Sequence, residues 1–206
     1  MLEIIKEIEA LDREFREHGI PKRYQKKWQM HVNVGLWIVG RKTAEFLYEL
    51  VMREQPRTIL ELGTSVGYSA LWLGKAAAQY GGRVMTVERE KFKVEEAREY
   101  IRRAGLDKVI ECIHSDIITF LKTQKPRADF IFIDAGKREY LDYLKLFEPQ
   151  LADGAIIVAD NMKDFAEHTK SYREYLEKSP FYTTEFVDID DGLLISHFTK
   201  NYARKI

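Results

Sequence analysis

The chain of 206 residues has a single cysteine, Cys112, so no internal disulfide can form and the fold must rest on its core. One cysteine fits a reducing compartment, and the neighbours Ile110 and Ile113 mark it as a buried, inert thiol rather than a nucleophile. Charge imbalance is absent as well: Lys+Arg and Asp+Glu each number 33, for a formal net charge of +0. Nothing global therefore advertises nucleic acid, an anionic membrane or an acidic tail. No apolar run approaches the roughly 20 residues that span a bilayer. Met1 to Glu7 lacks the apolar region of a secretory signal, so a soluble, cytoplasmic protein is expected. There is no internal repeat, low-complexity stretch or Pro/Gly/Ser linker. With 45% hydrophobic residues, 1–206 is expected to be one domain, a helical cap over 1–55 and an α/β core over 56–206.

What is present is periodicity. Ile4, Ile5, Ile8, Leu11 and Phe15 recur at helical spacing, which predicts a helix over 2–17 ending near Gly19 and Pro21. Residues 42–54 show a second apolar side through Phe46, Leu47 and Leu50 and stop at Pro56. Arg23 to Met30, between them, is basic with interleaved aromatics. Strand-like runs near 58–62, 83–88, 109–113, 129–134 and 154–160 then alternate with helical stretches near 67–80, 91–104, 116–123 and 139–148. Such a βαβ series predicts a parallel sheet with helices on both faces. After a helix near 164–178, Tyr182–Ile189 and Leu193–Phe198 flank Asp190-Asp191-Gly192 and read as an antiparallel hairpin. A mostly parallel sheet finishing in a hairpin matches the seven-stranded, Rossmann-like α/β fold of class I methyltransferases better than dehydrogenase or flavodoxin-like sheets.

Polar chemistry collects at the strand ends, where ligands of such sheets sit. Ile131-Phe132-Ile133 ends at Asp134, with Lys137 one turn beyond, and Ile156 to Ala159 ends at Asp160-Asn161. Two carboxylates and an amide oxygen are hard-cation donors. Ile59 to Leu62 runs into Gly63-Thr64-Ser65-Val66-Gly67, where glycines let backbone approach a ligand and turn into a helix N-terminus. A dinucleotide fingerprint wants G-x-G-x-x-G, and Ser65 and Tyr68 stand where its further glycines would fall. The next strand ends in Glu88, suited to ribose hydroxyls, and the third in His114-Ser115-Asp116, suited to an adenine edge.

Together I-L-E-L-G-T-S-V-G-Y-S, V-M-T-V-E, D-F-I-F-I-D-A-G-K-R-E-Y and I-I-V-A-D-N resemble the cation-dependent O-methyltransferases, among them the catechol and caffeoyl-coenzyme A enzymes. The resemblance covers roughly residues 40–200. It implies that Glu61, Gly63, Thr64 and Ser69 hold the methionine part of S-adenosylmethionine, Glu88 its ribose and Ser115 or Asp116 its adenine, with Asp134 also lining the cofactor site. It further implies that Asp134, Asp160 and Asn161 bind a divalent cation, Mg2+ first among them, and that Lys137 is the catalytic base. Glu185 falls near a position that touches a substrate hydroxyl in the catechol enzymes. Small relatives of this kind are commonly dimeric, so a homodimer is expected.

These residues suit the reaction. A phenol of pKa near 10 is about one part in a thousand ionised at neutral pH, a deficit of roughly 4 kcal/mol, and a cation binding the developing oxyanion supplies stabilisation of that size. Lys137 is protonated at its reference pKa of about 10.4, so a role as base requires that a dication, a sulfonium and desolvation lower it. Other uses stay open: Asp160-Asn161 as a helix N-cap, Lys137 as a solvated lysine, Glu185 as an outward strand residue. The acceptor is expected to be a small catechol-like or vicinal-hydroxyl compound. RNA is the alternative, carried by Arg23, Lys26 and Lys27 with Tyr24 and Trp28, and the neutral total charge argues against it. A non-catalytic cofactor-binding protein is a third reading, opposed by the complete Asp134, Lys137, Asp160 and Asn161 set. Two segments, Met30 to Gly35 and Ile38-Val39-Gly40, compete for the part that closes over the cofactor.

Overall fold

Runs apolar at every position, rather than at alternate ones, become strands covered on both faces. The computed structural model describes residues 1–22, 24–25 and 35–200. Its parallel strands are β1 (Thr58–Leu62), β2 (Arg83–Glu88), β3 (Ile110–His114), β4 (Ala128–Ile133) and β5 (Leu151–Ala159). Strands β6 (Tyr182–Val187) and β7 (Leu193–Phe198) form the expected hairpin, with β7 antiparallel to β5, and the seven-stranded order is β3-β2-β1-β4-β5-β7-β6. The chain thus builds outward from β1 to β3, then returns to lay β4 on the other side of β1. That reversal is a topological switch point, where the C-terminal ends of β1 and β4 open a crevice.

Helices α1 (Leu2–His18), α2 (Arg41–Glu54), α3 (Tyr68–Ala77) and α4 (Lys91–Arg103) cover one face. They pack on Ile59, Phe130, Phe132 and Val158. The other face is covered by α5 (Ile117–Gln124), α6 (Tyr140–Phe147) and α7 (Lys170–Lys178), on Leu60, Leu62, Ile131 and Ile133. The period-2 alternation of a strand sends neighbours to opposite cores, and both cores demand apolar residues. Helix α1 joins the first core through Ile4, Ile5, Ile8, Leu11 and Phe15. Each such burial is worth roughly 1.5–3 kcal/mol.

One boundary differs from expectation. The helix read over 164–178 begins only at Lys170, and 162–169 form turns. The backbone N–H groups of Met162 and Lys163 donate to Gly192 O (3.0 Å) and Asp191 O (2.9 Å), tying the stretch before the helix to the hairpin turn. Of the basic, aromatic segment, Arg23 and Lys26 to Met30 lie outside the described residues, as do His31 to Val34. Among the described residues, no helix is long and apolar enough to cross a membrane.

Candidate active site

The crevice holds a cavity of about 450 Å3. Gly63, Thr64, Ser69, Glu88, Asp116, Asp134, Lys137, Asp160 and Asn161 all line it. Residues separated by almost 100 positions are therefore brought to one place by the switch point. Ser115 and Glu185 do not line it: Ser115 turns its hydroxyl to Asp116 O (3.0 Å), and Glu185 is exposed on the edge strand β6. Glu61 lies beneath the floor rather than on it. Trp37, Ile38 and Val39 are at the wall, while the competing segment falls almost wholly outside the described residues.

Local geometry explains the wall built at the ends of β1, β2 and β3. Gly63 has φ +104°, and a Cβ there would overlap the carbonyl oxygen of Asp134, so only glycine lets β1 pass the end of β4. Gly67, with φ +89°, starts α3 and packs on Ala97. Glu88 accepts from Ser65 N–H and Glu90 N–H, both at 2.9 Å, one to each carboxylate oxygen. Each oxygen keeps a lone pair for a hydroxyl. The Asp116 carboxylate caps α5 by accepting from Thr119 N–H at 2.9 Å. Beneath the floor, Thr86 donates to Glu61 Oε2 and lies 2.5 Å, hydroxyl to hydroxyl, from Thr64. Glu61 is fully buried with Oε1 unpartnered, and burial pushes its carboxyl up to about 8.

The second wall sets two carboxylates and a lysine side by side. Asp134 and Asp160 follow adjacent strands in register, Asp160 N–H donating to Ile133 O at 3.0 Å. Lys137 Nζ donates to Asp134 Oδ1 at 2.5 Å and lies 5.9 Å from the ring centres of Tyr140 and Phe165. Asp160 is 3% exposed, and its Oδ1 has no hydrogen-bond partner. Burial first, and the Asp134 carboxylate second, hold its carboxyl well above the usual range. Asn161 is left-handed at φ +64°, and its Oδ1 too is buried without a partner. An unpaired carboxylate oxygen and an unpaired amide oxygen beside a second carboxylate are the donor types that a hard cation takes. The residues present therefore fit a hard divalent ion. Among the described residues, no three His, Cys, Asp or Glu side chains converge.

Several wall residues went unread in the sequence. Lys93, 4% exposed in the first turn of α4, has its pKa pulled down by burial while Glu88 and Glu90 oppose that shift. Its spacing of four from Ala97, on the buried side of α4, was the available signal. Glu139 accepts from the Tyr143 hydroxyl at 2.6 Å at the cavity wall. Asp191, read as a turn residue, lines the cavity and accepts from Asn161 Nδ2 at 3.3 Å. Cys112 is buried and away from the cavity, its thiol pushed up to about 12 by burial, as expected of an inert sulfur.

The sheet order, its reversed last strand and the polar strand ends at the switch point define the Rossmann-like class I methyltransferase fold. The family model described as O-methyltransferase matches residues 15–177. The chain is 35% identical over 150 residues to a Homo sapiens protein named Transmembrane O-methyltransferase, an alignment covering 66% of this chain and 51% of that one. A Catechol O-methyltransferase of Mycobacterium tuberculosis is 34% identical over 125 residues, 60% of this chain and 56% of the relative. The fold superposes on a Bacillus cereus O-methyltransferase, crystallised in complex with SAH, with TM-score 0.75 and 24% identity over 92% of this chain and 97% of that one. The chain spans about half the length of the first of these relatives. It belongs to the O-methyltransferase family.

Proposed function

We propose that this chain is an S-adenosylmethionine-dependent, divalent-cation-assisted O-methyltransferase acting on a small vicinal-hydroxyl acceptor such as a catechol. The observation that carries the reading is the meeting of Asp134, Lys137, Asp160 and Asn161 in one cavity with Gly63, Thr64, Ser69 and Glu88. Asp134, Asp160 and Asn161 would hold the cation, which supplies, when bound, stabilisation of negative charge on the acceptor oxygen. S-adenosylmethionine supplies the electrophilic methyl group. Gly63 brings backbone against the methionine part, Thr64 and Ser69 offer hydroxyls to it, and Glu61 supports them from below through Thr86. Glu88 accepts from the ribose hydroxyls, and Asp116 backs the adenine end.

Lys137 takes the acceptor proton on Nζ and must first be the neutral amine. Asp134 Oδ1, 2.5 Å away, holds that nitrogen in place and accepts from the ammonium that results. Phe165 and Trp37, apolar and partly open at the mouth, give a planar ring surfaces to lie against. Production of S-adenosylhomocysteine with a 3,4-dihydroxyphenyl acceptor, in Mg2+ and in excess EDTA, tests the reading. Turnover that ignores EDTA would defeat the cation's part in it. The homodimer remains part of the proposal and is read by light scattering.

A further inference from the structure

We infer that Asp191, in the β6–β7 turn, is a positioning residue that fixes the amide of Asn161 with its oxygen toward the cation site. The inference rests on the cation-assisted reading above. An asparagine at a cation site has two orientations, and only one presents oxygen rather than N–H to the ion. Here Asp191 Oδ2 accepts from Asn161 Nδ2 at 3.3 Å, and a carboxylate can accept from the nitrogen but not from the oxygen. The opposite flip would set the amide oxygen against the carboxylate. The consequence is visible on the other side of the amide, where Oδ1 is buried and unpartnered.

The turn is itself held in place. Its carbonyl oxygens at Asp191 and Gly192 accept from Lys163 N–H and Met162 N–H, so the peptide following Asn161 and the side chain of Asn161 are gripped by one turn. On the opposite side Asp190 accepts from Thr43 N–H at 2.9 Å and Thr43 Oγ1 at 3.0 Å, anchoring the turn to the first turn of α2. Asp191 does not join Asp134 and Asp160 as a third converging carboxylate among the described residues. It acts through Asn161, as hydrogen-bond partners of metal ligands do, and loss of such a partner typically weakens metal affinity about 10–100-fold.

The test is Mn2+ affinity of the full chain, read from the electron paramagnetic resonance signal of free Mn2+, beside thermal melting without metal. Asp191→Ala is expected to weaken Mn2+ binding about 10–100-fold, while Asp191→Asn, whose amide oxygen still accepts from Nδ2, stays within about threefold. Asp191→Ser, too short to reach the amide, replaces the alanine variant if that does not fold. Asp190→Ala should lower the melting temperature and leave Mn2+ affinity in place. Equal Mn2+ affinity in Asp191→Ala and the wild type overturns the inference and leaves the cation reading standing. So does an asparagine variant as weak as the alanine one, because the carboxylate would then act by its charge. Loss of Mn2+ affinity in Asp190→Ala equal to that in Asp191→Ala would reduce the turn to scaffold. If the wild type binds Mn2+ no better than Asp160→Ala, the cation reading itself fails and takes the inference with it.

Discussion

Two acids on opposite sides of the switch point, Glu61 in β1 and Asp160 beyond β5, suffer the same perturbation and have different remedies. Both are almost wholly removed from water, both carry an oxygen without a partner, and burial raises both. Glu61 lies under the floor, where the hydroxyl of Thr86 donates to it and the cavity residue Ser69 lies above it. Its way to avoid a buried charge is to hold a proton. Asp160 faces the cavity, with Asp134 beside it adding to the burden and Lys137 relieving part of it. On the proposed reading it exchanges a proton for a cation. A raised carboxyl marks a ligand site only where the cavity reaches it.

The largest test of that contrast is Asp160→Ala. Methyl transfer should fall by about 10³-fold or more, roughly the 4 kcal/mol that ionising a phenol requires, while the metal-free protein melts at a higher temperature because a strained acid is gone. Product formation in Mg2+ and a melting curve in EDTA read the two halves. A variant with lower activity and also lower metal-free stability would mean that Asp160 is structural, like Glu61.

Next is the seam between the two sides. Gly63→Ala places a methyl group against the Asp134 carbonyl at a backbone angle foreign to alanine. Strain plus overlap should cost about 3 kcal/mol or more, seen as a lowered denaturation midpoint. An alanine variant of wild-type stability would show that the seam yields, and that the two walls are not rigidly spaced.

Glu61 gives the pH signature. Its folded carboxyl lies at about 8 against an unfolded value near 4.3, so between those limits the native state holds a proton that the unfolded chain has released. Stability is then fully present below the unfolded value and falls as pH rises toward 8, by at most about 1.4 kcal/mol per unit. Glu61→Gln mimics the protonated acid and should flatten this fall, gaining roughly 2.5 kcal/mol over the wild type at pH 8.5 relative to pH 6. Parallel wild-type and variant curves in urea melts across that range would place the Glu61 proton elsewhere.

Much of this was readable beforehand, for a physical reason. Strands such as Phe130–Ile133 face apolar cores on both sides, so their composition announces them, and switch-point topology then carries Asp134, Asp160 and Asn161 to one cavity without further information. What could not be read depends on contacts between distant segments. Asp191 looks like an ordinary turn residue until the hairpin folds it against Asn161, 30 positions earlier. The stretch before α7 is likewise shaped at a distance, by bonds from Met162 and Lys163 to that turn. Lys93 sits in Lys91-Phe92-Lys93-Val94, where composition predicts a solvated lysine, and only packing against the Glu88 side of the cavity buries it.

The smallest expected effect concerns Glu185, which resemblance placed near a substrate hydroxyl. Its strand is the sheet edge, its side chain is exposed, and the cavity is walled by Asp191, Phe165 and Asn161 instead. An exposed carboxylate outside the cavity has no short path to the acceptor, and its charge is screened within about 10 Å at ordinary salt. Glu185→Ala should therefore change kcat/KM with a dihydroxyphenyl acceptor by less than about threefold, under 1 kcal/mol. A loss of tenfold or more, confined to KM, would place the acceptor farther along β6 than the cavity now extends. The crevice would then continue from Asp160 onto the sheet edge, and the contrast with the sealed floor over Glu61 would be wider than these walls imply.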